Sequence, residues 1–570
     1  MNYGFIQRFS GLRHARRLSS SQIGDLTPGY CTYAYKLPAR SFVRRFSGLD
    51  DRYTHFLSLS SGNDKNMESY SACSDESTEA SSRFSLDIHG KESHPTGQKA
   101  TITITESEKR LFDLLLGCVE VYSLNMDLRV VGGWVRDKLL NLGSKDIDIA
   151  LPTMTGVEFC EHLNRYTSEK FGFQRTIGVV KRCPEQSKHL ETATMNILGF
   201  DVDFVNLRSE DYANNSRIPV MRIGTPFEDA QRRDFTVNAI FYNITRGIIE
   251  DFTGFGIEDL HDKVIRTCSP AFETFMDDPL RVIRAIRFTC RLKFDLHKDI
   301  LDSISNKDVL KALNDKVSRP RISQEIDGIL SKGDIVPGFK LLKDFKVLNL
   351  LLGVPDDGTV DKQSRLSDNV LVEGCRLMES LKTLIRDDFI DEKYIYLAAL
   401  VAPTIDMPNI GKMTVAEYLI KERFKLPNKY ASSAEAIAQG SVLFENLVDA
   451  LPTDELDLRQ ALGLAIRKAG LLWKESLLLH FAKRPEPDAD AVYEKFSSII
   501  SLAEKLGVND TYNIKAMITG QELLNILPRL KGGPTFKEVL ESQVALMIRD
   551  VNITKDNLEL HLRETFREFL

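Results

Sequence analysis

Asp146 and Asp148 stand two residues apart in KDIDIAL, a short way after the Gly132-Gly133 pair of LRVVGGWVRD. Side chains alternate faces along a strand. The two carboxylates therefore share one face of a strand over 145–151, while Ile147 and Ile149 point into a core. Two carboxylates on one strand face form a hard-oxygen site suited to Mg²⁺. The glycines let backbone N–H groups approach a phosphate at the start of a helix, where the dipole favours negative charge. Arg136, one turn further in, adds a charge-assisted bond. A phosphate cradle and metal carboxylates in one compact unit point to nucleotidyl transfer.

The elements that must position these groups are a strand over 128–131, the glycine turn, a helix over 134–140 and the strand over 145–151. Taken singly, a GG turn or a DxD pair is commonplace. In this order, LRVVGGWVRD…DIDIA resembles the signature of class II polymerase β-type nucleotidyltransferases. That group holds the CCA-adding tRNA nucleotidyltransferases and the bacterial-type poly(A) polymerases.

Further stretches fit the same resemblance. In DAQRRDFTVNAIF (229–241), Arg232, Arg233 and Asp234 are expected to begin a helix; two guanidiniums and a carboxylate suit a triphosphate and a ribose hydroxyl. The stretch resembles the family's RRDxTxNA. Asp251 and Gly254 of EDFTGFGIEDL match an element at the hinge between head and neck. In DDPLRVIRAIRFTCRLK (277–293), Pro279 suits the first helical turn, with Asp277 or Asp278 as its cap. Arg281, Arg284, Arg287 and Arg291 fall within an arc of about 120°. No acid lies between Asp278 and Asp295 to neutralise them, so an anionic ligand is the expected partner. The helix resembles (E/D)DxxRxxRxxRF, whose first Asp–Arg pair reads the incoming base. VSRPRISQEI resembles ERxxxE with Pro320 in place of a Glu, so only Arg321 and Glu325 carry over. Asp201 and Asp203 of FDVDFV read as strand-face acids at a sheet edge, Asp203 being the outside candidate for a third catalytic carboxylate.

At 570 residues the chain is too long for one core. With 42% hydrophobic and 27% charged residues it is ordinary for a soluble protein, and no run approaches the ~20 apolar residues of a membrane helix. A net charge of −6 speaks to solubility and leaves room for a local basic stripe. The eight cysteines include no CxxC pair, which argues for a reducing compartment. Before Asp25 there are no acids, but Arg8, Arg13, Arg16 and Arg17 stand among serines and apolar residues, the composition of an organellar transit peptide. Residues 1–95 are thus expected to be transit peptide and disordered linker. The destination is the mitochondrion, the plastid or both, and initiation at Met67 would leave a cytosolic or nuclear form.

The resemblance carries specific motifs over about 105–330. It is nearest the plant-type branch, on KHLETAT and DFVNLRSEDY. It implies an α/β head with a polymerase β-like palm (100–255), an all-α neck with the nucleotide-selecting helix (256–330), and a helical body and tail that bind tRNA (331–570). In the tail, Lys531, Gly532 and Gly533 suit either a turn facing tRNA phosphates or a plain helix C-cap. The implied reaction is addition of CCA to the 3′ end of tRNA from CTP and ATP, without a nucleic-acid template. Asp146 and Asp148 would be the catalytic Mg²⁺ ligands; Gly133, Arg136, Arg233, Arg284 and Arg287 would position the triphosphate; Asp278 and Arg281 would select the base. Gly132, Arg232, Asp234, Asp251, Arg321 and Glu325 would support them. No protein partner and no membrane is implied. The alternatives are a poly(A) polymerase, or an inactive RNA-binding protein on the same fold.

Overall fold

The computed structural model describes residues 102–570 apart from 145, 181–191, 212–219, 354–365, 387–389 and 485–487, with two short strands upstream, Ser82–Arg83 (β1) and Ile88–His89 (β2). The Arg-rich leader and Met67 lie outside the described residues, as do parts of KHLETAT and DFVNLRSEDY.

The head opens with β3 (Thr103–Ile104) and α1 (Glu106–Val121), which Thr105 and Glu108 cap reciprocally. Glu108 also accepts from Trp134 Nε1 at 3.2 Å and Lys138 Nζ at 2.7 Å. One buried carboxylate thereby ties α1 to the glycine-turn helix. The central unit follows as expected: β4 (Arg129–Val131), α2 (Gly133–Leu139) and β5 (Asp146–Leu151). Next come α3 (Gly156–Phe171), β6 (Gly178–Val180), β7 (Thr192–Ile197), β8 (Phe200–Asn206), β9 (Arg208–Asp211), β10 (Val220–Ile223) and α4 (Pro226–Gln231). A 3₁₀ turn at Thr236–Asn238 leads into β11 (Ile240–Asn243) and β12 (Ile248–Asp251).

Eight of the strands form one mixed sheet in the order β2-β12-β11-β4-β5-β8-β7-β6. β5 and β8 run parallel with Asp146 opposite Asp201 and Asp148 opposite Asp203. Ile147, Ile149, Val202 and Phe204 are buried on the other face, where α3 packs and Phe159 meets Phe204 at 5.2 Å between ring centres. β8 lies inside the sheet between β5 and β7, so Asp203 is not an edge acid.

RRD does not begin a helix. α4 ends before it, and the apolar residues after it form the 3₁₀ turn and β11. Phe235, Val237, Ala239 and Phe241 recur every second residue, an extended rather than a helical period.

Beyond α5 (Gly256–Asp262) and the two-residue strand β13 (Val264–Ile265) the described residues are almost wholly helical: α6 (Ala271–Asp277), α7 (Arg281–Leu292), α8 (Lys298–Ile304), α9 (Lys307–Lys316) and α10 (Arg319–Lys332). Pro320 falls in the first turn of α10, where its missing N–H costs nothing. In the helical part, Ile335–Asp344 and Val347–Leu352 are separated at Lys346, and Glu455–Ala469 ends at Gly470, whose φ is +76°. Asn428–Val442 is a helix although it lacks a strong apolar stripe. Its small residues Ala431, Ala434, Ala438 and Gly440 let it pack closely between Glu392–Val401 and Trp473–Ala482. At the C-terminal end Leu523, Leu527, Val539, Leu558 and Leu562 share a core, and Gly533 starts the helix Pro534–Arg549 rather than ending one. Among the described residues no helix is long and apolar enough to cross a membrane.

Candidate active site

Gly132 sets the geometry of the corner. Its φ of +74° belongs to the region that glycine alone enters readily. A Cβ there would lie 3.6 Å from both Asp148 Oδ2 and Arg233 Nη1. The turn before α2, a strand carboxylate from β5 and a guanidinium from RRD thus converge on one open point. Beside it, Asp148, Arg208, Asp229, Arg232 and Arg233 line a crevice of about 210 Å³, floored by apolar residues of β4, β5 and β8.

Asp148 is half-buried and Asp146 exposed. Burial, with the negative charges of Asp203 and Asp146 alongside and despite Arg233, pushes the Asp148 carboxyl up to about 6. A carboxylate so placed is short of positive charge. Among the described residues no three His, Cys, Asp or Glu are gathered closely enough to enclose an ion. Mg²⁺ is commonly held by one or two carboxylates and completes its octahedron with water and substrate phosphates. The donor set of Asp148, which lines a crevice with three arginines, and Asp146, two residues before it on β5, fits that mode.

Asp229, absent from the sequence expectations, organises RRD. Arg233 donates to its Oδ2 through Nη2 (2.7 Å) and Nε (3.0 Å), and Arg232 donates to its Oδ1 through Nε (2.9 Å). These two guanidiniums hold the buried carboxyl below its ordinary value. The signal was present in the spacing, since an acid three and four residues before two arginines can meet both.

The other predicted residues form a network behind the crevice. Arg136 is only 2% exposed, its guanidinium lying behind Gly133. It donates to Asp137 Oδ1 through Nε (2.8 Å) and to Asn238 Oδ1 through Nη1 (2.5 Å). Asn238 Nδ2 donates in turn to Asp234 Oδ1 (3.0 Å), and Arg284 donates to Asp234 Oδ2 through Nε (2.9 Å) and Nη2 (2.7 Å). Against its burial, Arg284 and Asn238 hold Asp234 down at about 2. Three of the four stripe arginines of α7 are paired with acids after all. The acids come from distant segments: Asp234 and Glu325 for Arg284, Glu325 for Arg287, and Asp137 for Arg291. The Phe288 ring carries the Arg136, Arg284 and Arg287 guanidiniums at 5.2, 5.5 and 4.3 Å from its centre.

Asp278 and Arg281 lie where α6 meets α7. Leu280 N–H donates to Asp278 Oδ1 (3.3 Å) and Arg321 Nη2 to Asp278 Oδ2 (2.7 Å). Pro279 sits just before α7 rather than within its first turn. Arg281 Nη2 donates to the carbonyl of Arg232 (2.7 Å), which brings Asp278 and Arg281 beside RRD. Asp251 has both oxygens committed: Thr253 and Gly254 donate to one and the Ile257 N–H to the other, fixing the turn into α5.

The model of the Poly A polymerase head domain matches residues 128–266. The mitochondrial CCA tRNA nucleotidyltransferase of Saccharomyces cerevisiae is 30% identical over 526 residues, covering 82% of this chain and 95% of the yeast protein. The chain belongs to the CCA tRNA nucleotidyltransferase family. The mitochondrial CCA tRNA nucleotidyltransferase of Candida glabrata is 33% identical over 485 residues, covering 76% and 90%. Among solved structures, an apo CCA-adding enzyme matches with a TM-score of 0.57 at 20% identity, over 81% of this chain and 97% of that one. A CCA-adding enzyme in complex with CTP matches at 0.56 and 21%, over 82% and 96%. At these identities the structural likeness speaks for the fold: an α/β nucleotidyltransferase head followed by helical domains.

Proposed function

We propose that this crevice completes the 3′ end of tRNA with C, C and A from CTP and ATP, without a nucleic-acid template. Membership of the family supplies the reaction; the convergence of Asp148 and Arg233 on the open corner at Gly132 supports the assignment of residues. The 3′-oxygen bonds to the α-phosphorus as the bond to the bridging oxygen breaks. Pyrophosphate leaves with that electron pair, and the hydroxyl proton passes to solvent. Nucleotidyltransferases of this type depend on metal, and Mg²⁺ is the ion we assign to Asp146 and Asp148. Bound there, it would ease deprotonation of the hydroxyl and stabilise the leaving oxygens.

The chain's own residues do the rest. The amides of the Gly132–Gly133 turn and the Arg233 guanidinium hold the triphosphate, with Arg136 adding positive charge from behind. Arg284 and Arg287, turned onto Asp234 and Glu325, brace α7 rather than meet the phosphates. Asp278 accepts and Arg281 donates, and cytosine and adenine each offer an amine beside a ring-nitrogen acceptor. Uracil and guanine present the reverse polarity, so one protein pair serves as template. Arg321 orients Asp278 for that reading.

The domain division into head, neck, body and tail at about 255 and 330 belongs to the same proposal, with tRNA lying along the helical part. The yeast relatives are mitochondrial, which supports import there. Delivery to plastids and a cytosolic or nuclear form from Met67 are its finer parts. A reporter carrying residues 1–66 should enter an organelle, and one that stays wholly cytosolic refutes the targeting.

The deciding assay incubates the protein and Mg²⁺ with tRNA lacking its 3′ end, giving CTP and ATP singly or together. A product that stops after three added residues is expected. Long A tails from ATP alone would point instead to a poly(A) polymerase.

A further inference from the structure

α10 carries two stripes of polar contacts. Residues two apart on a helix point about 200° away from each other, while residues four apart share a face. Arg321 and Glu325 form the first stripe. Arg321 Nη2 donates to Asp278 Oδ2 at 2.7 Å, and Glu325 accepts from Arg284 and Arg287 of α7. Gly328 leaves room for Arg287, whose Cδ would lie 2.6 Å from a Cβ at that position. Arg319, Ser323 and Asp327 form the second stripe, and each meets a segment beyond residue 330. Arg319 Nη1 donates to the Leu351 carbonyl at 3.2 Å and Ser323 Oγ to the Lys425 carbonyl at 2.9 Å. The Tyr430 hydroxyl donates to Asp327 Oδ1 at 2.6 Å.

The segment that receives this second stripe is irregular. Leu419–Arg423 is a π-helical turn, Lys425 holds a φ of +56°, and the next helix begins at Asn428. Such features are uncommon and gather where the backbone has a task beyond packing. Here they converge on α10. Arg423 Nε donates at 3.0 Å to the Leu351 carbonyl that Arg319 also uses, Lys425 turns its carbonyl onto Ser323, and Tyr430 meets Asp327 from the first turn of its helix. Burial and the Asp327 carboxylate push the Tyr430 phenol up to about 12, so it keeps its proton and donates. Its ring is held separately, with Tyr394 at 5.5 Å between ring centres and Lys393 Nζ 5.8 Å from its centre.

We propose that α10 is the link by which the helical part beyond residue 330 fixes the base-reading pair, with Ser323, Asp327 and Tyr430 as positioning residues for base selection. The inference rests on the reading of the base by Asp278 and Arg281. Arg321 and Asp327 belong to one helix of 14 residues, so a tie that holds Asp327 in place also sets where Arg321 meets Asp278. A slide of α10 displaces the Asp278 acceptor and leaves Asp148, Arg233 and the glycine turn where they are. Base choice should therefore suffer before bond making does.

The test is single-turnover addition of C and of U by the full-length protein to tRNA lacking its 3′ end, in Tyr430→Phe, Ser323→Ala and Tyr394→Phe variants. Tyr430→Phe removes one hydroxyl and keeps the ring; Tyr394→Phe makes the same change on the neighbouring ring and alters none of the α10 contacts. A misplacement of about 1 Å can cost on the order of a hundredfold, so loss of one tie of the three should lower C-over-U selectivity about three- to tenfold. That loss is expected in Tyr430→Phe and Ser323→Ala, with C addition within about threefold of the wild type and Tyr394→Phe unchanged. Asp327→Asn, which still accepts from Tyr430, should keep selectivity, and Asp327→Ala should lose it. In an Asp278→Asn background the effect of Tyr430→Phe should vanish, the sign of action through Asp278. Unchanged selectivity in both Tyr430→Phe and Ser323→Ala would overturn the link. So would a loss that persists in full beside Asp278→Asn, or an equal fall of C and U addition, which would make these contacts plain braces of α10. Should Tyr430→Phe not fold, Asp327→Asn against Asp327→Ala decides in the same way. Wild-type selectivity in Asp278→Asn itself would instead refute the base reading, and the link with it.

Discussion

Glu325 is 7% exposed on α10 and accepts from two guanidiniums of α7, Arg284 Nη1 at 3.0 Å and Arg287 Nε at 2.5 Å. Glu325→Gln keeps the shape and one acceptor oxygen but removes the charge that faces both. A hydrogen bond to a charged group is worth about 1.5–3 kcal/mol, and breaking a buried pair outright costs roughly 3–5 kcal/mol. Arg284 keeps Asp234, and its side chain is 31% exposed, so the Gln variant belongs below that range, at about 2–3 kcal/mol. For a head and neck of this size that corresponds to a midpoint about 5–10 °C lower. A multidomain chain need not melt in one step, so the reporter must be local. The protein has two tryptophans, and in a Trp473→Phe background Trp134, buried in the head, is the sole one left. Its fluorescence should report the early transition. Well below that transition C and A addition should stay within about fivefold of the parent, since Asp148, Arg233 and the glycine turn are untouched. Unchanged melting together with a lost reaction would refute the bracing role. It would return Arg284 and Arg287 to the triphosphate.

Asp146→Ala or Asp148→Ala should abolish C and A addition alike at unchanged melting temperature, because the metal contributes several kcal/mol to the transition state; more than a few per cent residual activity would sink the assignment. Asp203→Asn, which keeps an acceptor for Thr194, should cost less than about tenfold, and a loss as deep as that of Asp148→Ala would make Asp203 a third metal ligand. Asp278→Asn should relax discrimination against UTP more than it slows chemistry, measured by single-turnover addition with all four nucleotides; unchanged selectivity would mean that the base is read elsewhere. His480 is 1% exposed and burial lowers its pKa to about 4, so its neutral form is favoured on folding. Its contribution is fully present above the unfolded value near 6.5 and is lost as pH falls toward 4, a drop on the order of 1–2 kcal/mol at pH 5. His480→Phe should flatten the urea-midpoint profile between pH 7 and pH 5, and an equally steep profile would place the titrating group elsewhere.

The glycine turn and the DxD strand were legible because both are local. A positive φ and a period of two are written in neighbouring residues, and the structure keeps them to within a residue. RRD misled for a reason of weighting. The apolar residues after Asp234 suit a helical face when only their number is weighed, while their recurrence at every second position goes with the extended path into β11. Asp203 was misjudged because strand order is a property of the whole sheet, and nothing in FDVDFV says that β8 has a neighbour on each side. The arginines of α7 show a different limit. A search for neutralising acids three or four residues away cannot see Asp234, Glu325 or Asp137, and each reaches its arginine from another segment of the chain.

That last point changes what the stripe does. Reading outward from the corner, Gly133 backs onto Arg136, Arg136 onto Asn238, Asn238 onto Asp234, Asp234 onto Arg284, and Arg284 and Arg287 onto Glu325. Donors and acceptors alternate from the glycine turn to the helix that starts at Arg281. Apolar packing alone would tolerate a small slide of α7 along the head. A run of directional bonds, most of them charged and largely out of solvent, is satisfied in one register only. On the proposed reading, with the base read at Asp278 and the bond broken at the α-phosphorus, the reaction needs that register. A misplacement of about 1 Å between reader and reaction centre can cost on the order of a hundredfold in rate. On that proposed reading, Arg284 and Arg287 secure specificity by fixing distance, and contact with the nucleotide is left to Asp278, Arg281, Arg233 and the glycine turn.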